Sequence, residues 1–190
     1  MMKHFLFIFF LLISHGTIEA QYPEGLPQEA ISEVKNYIKG KDYNQNVAIF
    51  INFKIHSGKY RYFFYDLKKD SILQKAIVAH GSGSENTKTT SLTFSNINGS
   101  YQSSLGKFEV GESYIGKFGK AYRLKGLDST NNNAMERAIV LHSYYCVPDK
   151  ESRNPTCLSL GCPMLSQYAF NQSAKYIDGS KQPIILYAFY

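Results

Sequence analysis

At 190 residues with a formal net charge of +6, the chain has room for one domain with a proper core and too little for two. The basic balance suits an anionic partner, but no run of Lys or Arg offers a nucleic-acid patch, so nucleic acid is not expected as a ligand. Three cysteines are an odd count, which leaves at least one thiol without a partner in the chain.

Lys3 is followed by an almost unbroken apolar run from Phe5 to Ile13, too short to span a bilayer as a helix. With the small-residue exit Ile18-Glu19-Ala20, residues 1–20 read as a secretory signal peptide, cleaved between Ala20 and Gln21. This predicts export to the periplasm or cell envelope with no stable membrane anchor. Lys3 and Glu19 cancel, so the mature chain keeps its positive charge, which fits an anionic polymer outside the cytoplasm.

Residues 21–45 form an N-terminal helical segment: Ile31, Val34 and Ile38 recur at helical spacing, with Pro27 suited to the first turn and Gly40 to the exit. Residues 46–190 are expected to form the main domain. Asn46 to His56 and Tyr60 to Leu67 flank Ser57-Gly58 and predict a hairpin. Ser71 to His80 predicts another strand, followed by a polar loop from Gly81 to about Ser104. Short β-like segments then alternate with Gly111, Gly116, Gly119 and Gly126, and the apolar strand Ala138 to Leu141 ends at His142. Leu165 to Ile177 predicts a helix after Pro163, and Ile184 to Tyr190 a closing strand. The fold class is therefore mainly β, with a few short helices.

The chemistry centres on two segments, Ile139-Val140-Leu141-His142-Ser143 and, twenty positions beyond His142, Ser159-Leu160-Gly161-Cys162. A glycine before a cysteine permits a tight turn that lifts the thiol and converges backbone N–H groups. A thiol nucleophile needs a base to form the thiolate and N–H donors to hold an oxyanion, and these segments carry both. Cys162, His142 and Gly161 are the candidate catalytic residues, with Ser143 and Ser159 as candidates for orienting the imidazole or capping the turn.

These residues resemble the L,D-transpeptidase (YkuD-type) catalytic domain, whose signature is a His at a strand end followed by Ser-x-Gly-Cys. Ser104-Leu105-Gly106-Lys107-Phe108, Gly116-Lys117-Phe118-Gly119, Arg123-Leu124-Lys125-Gly126-Leu127 and Asn131, Asn133, Ala134 and Arg137 extend the likeness, toward the murein L,D-transpeptidase branch. The resemblance implies a β-sandwich-like domain without a cofactor, and a thioester on Cys162 formed from peptidoglycan stem peptides to give 3–3 cross-links. Leu160 stands where the commoner signature has a second His, and Pro163 and Met164 where it often has Arg or Asn. The family's substrate-carboxylate contacts therefore do not transfer. Arg123, Arg137, Tyr122 and His80 are the candidate substrate-binding residues in their place, each weighed against a structural role.

Two other readings stay open on sequence. The same site with water as acceptor makes an L,D-carboxypeptidase. A non-catalytic wall-binding module is the other, in one form stabilised by zinc on His142, Cys146, Cys157 and Cys162.

Overall fold

A computed structural model describes residues 24–86, 89 and 91–190, so the segment read as a signal peptide lies outside the described residues. The elements in chain order are α1 (Gln28–Ile38), β1 (Val47–Asn52), β2 (Tyr62–Asp66), β3 (Ser71–Ala76), β4 (Gly106–Gly116), β5 (Gly119–Gly126), β6 (Val140–Ser143), β7 (Met164–Leu165), α2 (Gln167–Asp178) and β8 (Ile184–Phe189). Among the described residues no helix is long and apolar enough to cross a membrane.

The strands form one eight-stranded mixed sheet in the order β3-β2-β1-β8-β4-β5-β6-β7, mainly β as the predicted elements imply. β1 runs parallel to β8, and β6 parallel to β7; the other neighbours are antiparallel. The chain leaving β3 pairs at Ala79 with Met164 of β7, and Gly81 pairs with Ser159, so the two edges of the sheet meet. That closure brings the end of β3 against the segment that carries Cys162.

The central strands are apolar on both faces because both faces are covered, which is why β1 and β8 read as nearly continuous hydrophobic runs. Ala48 and Phe50 of β1 pack with Ile31, Val34 and Ile38 of α1, while Ile49 and Ile51 face the main core with Phe170 of α2. Fully burying Ile31 and Val34 stabilises the docking of α1 by roughly 1.5–3 kcal/mol each. α2 packs Ala169, Phe170 and Ala174 against the opposite face, and Tyr62 Oη shares a 2.9 Å hydrogen bond with Ser173 Oγ.

Three expectations shift in detail. The helix after Pro163 begins at Gln167 rather than Leu165, because Ser166 Oγ accepts the Ala169 N–H at 3.0 Å as its N-cap while Met164 and Leu165 pair with β6. Gly111 does not end a strand; β4 runs through it with a register shift between Val110 and Ser113. The last strand lies at the centre of the sheet, between β1 and β4.

Candidate active site

His142 is the third residue of β6 and pairs with Met164 of β7, two positions beyond Cys162. Both His142 and Cys162 line one cavity of about 470 Å³, walled by Tyr114, Phe118, Tyr144, Leu158 and Met164 among others. The parallel β6–β7 pairing is thus what brings the two segments to one place.

The imidazole is buried and its Nδ1 lies 3.0 Å from the backbone carbonyl of Ser143. A carbonyl only accepts, so Nδ1 carries the hydrogen and Nε2 keeps a free lone pair. Phe118 stacks on the ring at 5.3 Å between centroids. Burial pushes His142 below its usual value, against the Ser143 bond that pulls it up. Burial likewise raises the Cys162 thiol, opposed by the Val140 N–H, 3.5 Å from Sγ, and by the charge of Arg137. Both shifts favour the neutral forms, thiol and imidazole, over an ion pair.

The turn that presents the thiol is fixed from behind. Gly161 sits at φ +118°, where a Cβ would meet Gln102 O at 3.0 Å and Ile139 Cδ1 at 3.2 Å, so only glycine is comfortable there. Ser159 Oγ caps the turn by accepting the Gly161 N–H at 3.0 Å. Ser159 itself donates through N–H to His80 O at 2.9 Å and accepts from Ser82 N–H at 2.8 Å. Gly81 is packed so closely that an added Cβ would come within 2.9 Å of Gly161 Cα. The polar loop is a hydrogen-bonded buttress: Ser103 Oγ donates to Gly161 O at 3.3 Å and accepts the Gly81 N–H at 3.0 Å.

The remaining sequence candidates divide. Arg137 lies beside Cys162, but its guanidinium donates to Ser95 O, Ser104 Oγ, Ser100 Oγ and Gln102 O, tying the loop to the turn. Ser143 orients the imidazole through its carbonyl while its hydroxyl donates to Gln167 Oε1 at 3.0 Å. His80 does not line the cavity. It is buried, with Nδ1 accepting from Arg61 Nη2 at 2.7 Å, and therefore Nε2 donating to Glu85 at 2.8 Å. Tyr122 is buried in the core, donating to Asp178 at 2.7 Å, and Arg123 is exposed with its guanidinium over the Tyr114 ring at 4.6 Å; neither lines the cavity.

Cys146 and Cys157 form a disulfide and Cys162 is free, which removes two thiolates from the zinc set and overturns that alternative. Sequence reasoning gave no site role to the aromatic walls Tyr114, Phe118 and Tyr144. Only the position of Phe118 between two turn glycines signalled it, since its approach to His142 depends on the long β4–β5 hairpin.

A family profile described as the L,D-transpeptidase catalytic domain matches residues 21–189. No curated protein matches the sequence. Among solved structures, an L,D-transpeptidase from Mycobacterium smegmatis is 13% identical at a TM-score of 0.44, over 76% of this chain and 59% of that one. L,D-transpeptidase 1 from Mycobacterium tuberculosis is 12% identical at 0.38, over 75% and 61%. The helical cell shape determining protein Pgp2 from Campylobacter jejuni is 15% identical at 0.46, over 84% and 54%. The chain thus spans little more than half of each of these solved proteins, and the assignment rests on the profile match rather than on such distant likenesses. By that match, the chain belongs to the L,D-transpeptidase catalytic domain family.

Proposed function

We propose that the protein is an exported L,D-transpeptidase acting on peptidoglycan stem peptides, with Cys162 as nucleophile and His142 as general base. The observation that carries this reading is that Cys162, outside the disulfide, and His142, its Nδ1 held by the Ser143 carbonyl, line one cavity. Nε2 takes the thiol proton as Sγ attacks the carbonyl between the L-centre of diaminopimelate and D-alanine. The oxyanion needs turn amides. Because the Gly161 N–H is already given to Ser159 Oγ, the amides of Leu160 and Cys162 are the candidates.

The imidazolium then returns its proton to the departing D-alanine amine, leaving a thioester on Cys162. An amine from a second stem attacks that thioester, His142 accepts the amine's proton, and a 3–3 cross-link forms as the thiol is regenerated. Water in place of the amine gives hydrolysis at the same site. The test is mass spectrometry of tetrapeptide-bearing muropeptide after incubation with wild type, Cys162→Ala and His142→Ala, with circular dichroism as the folding control. Cys162→Ala is expected to show no thioester and no product, and His142→Ala a loss of at least about 10²-fold. Product formation by folded Cys162→Ala would refute the nucleophile assignment.

A further inference from the structure

We infer that Lys117 is the site's carboxylate-recognition residue, aimed at the terminal carboxylate of the departing amino acid; this rests on the acyl-transfer reading above. Gly116 pairs with Gly119, so Lys117 and Phe118 are the two tip residues of the β4–β5 hairpin. Phe118 stacks on His142, which places the tip over the base, and Lys117 lines the same cavity with its ammonium 5.6 Å from the Phe118 ring centroid.

No Asp or Glu lines that cavity, and Lys117 has no acidic partner among the described residues. The two arginines that the sequence offers are engaged elsewhere: Arg137 is spent on the loop, and Arg123 sits over Tyr114 outside the lining. What remains is one unneutralised cation on a wall of Tyr114, Phe118, Tyr144, Leu158 and Met164. That combination fits a carboxylate carried on a short apolar segment, such as the methyl-bearing D-alanine leaving group. Lys117 is exposed at the hairpin tip, so its pull on an anion is that of an exposed ion pair.

Two arms separate this inference from the reading it rests on. In the first, Cys162 is alkylated with iodoacetate and with iodoacetamide; in both, a sulfur–carbon bond forms and iodide leaves, but only iodoacetate carries a carboxylate. The ratio of the two rates cancels any change in thiolate fraction. Lys117→Gln is expected to lower that ratio about 2- to 5-fold at low salt, the scale of an exposed ion pair, with the difference fading in high salt and restored by Lys117→Arg. Arg123→Gln should leave it unchanged.

In the second arm, tetrapeptide stems ending in a free carboxylate or an amide are compared. Lys117→Gln is expected to raise KM for the acid about 2- to 5-fold with little change in kcat, and to leave the amide unaffected. An unchanged alkylation ratio, or an unchanged KM for the acid, overturns the inference while acyl transfer stands. If the ratio falls as expected but wild type turns over neither peptide, the anion subsite stands and the acyl-transfer reading fails.

Discussion

At the scale of single residues, the balance of forces on Cys162 sets its chemistry. Burial raises the thiol above its ordinary value near 9, and the Val140 N–H and Arg137 only partly offset this. The rate of Cys162 alkylation by iodoacetamide should therefore keep rising past about pH 9, with no thiolate plateau near neutrality. A plateau near pH 7 would mean a preformed thiolate–imidazolium pair and refute the assignment of resting states. Gly161 supplies a second residue-scale prediction. Gly161→Ala forces a Cβ into contact with Gln102 O at 3.0 Å at φ +118°. It should cost roughly 1–3 kcal/mol in urea unfolding and slow alkylation by misdirecting the thiol.

At the scale of elements, the site depends on how segments are tethered. The Cys146–Cys157 bridge closes a short loop, at a sequence separation of 11, within the stretch joining His142 to Cys162. Replacing both cysteines with serine should cost about 2–4 kcal/mol, read as a lower Tm, and reductant should lower the wild-type Tm toward that of the variant. Equal Tm values with and without reductant would show the bridge to be energetically idle. The helix that follows carries a comparable dependence on one side chain. Ser166 caps α2 and also hydrogen bonds with Asp149, so Ser166→Ala should cost about 1 kcal/mol.

At the scale of the whole molecule, stability should fall on acidification in two windows. Burial holds His80 and His142 below their ordinary value near 6.5, with the charge of Arg61 adding to the effect at His80. The unfolded chain therefore binds these protons first as pH falls. Their contribution is fully present above about pH 6.5 and is lost as pH drops toward the folded values. Glu33 and Asp178 are held below their ordinary values of 4.5 and 3.8, their burial being outweighed by bonds to Lys107 and Tyr187 and to Lys120 and Tyr122. Their contribution is lost only in the more acid window. Thermal unfolding followed between about pH 8 and pH 4.5 should show Tm declining below pH 6.5, and His80→Gln should flatten that slope. A flat Tm across this range in wild type would contradict the depressed histidines.

Local sequence determined much of this protein. The spacing of Ile31, Val34 and Ile38 specified α1, the turn pair Ser57-Gly58 specified the β1–β2 hairpin, and Gly161-Cys162 specified a turn that presents a thiol, because each depends on near neighbours. The tertiary structure decided the rest. Leu165 has the composition of a helix residue, yet it pairs with Ser143 because β6 is there to receive it. Ile184 to Tyr190 reads as a closing strand, yet β8 fills the middle of the sheet because its two apolar faces need cover on both sides. His80, Tyr122, Arg123 and Arg137 are residue types that also bind ligands, and only their partners show where each is engaged. Arg61 and Glu85 hold His80, Asp178 holds Tyr122, Tyr114 underlies Arg123, and four acceptors of the polar loop hold Arg137. Such long-range hydrogen bonds and stacking leave no periodic mark on the chain, whereas turns and amphipathic faces do.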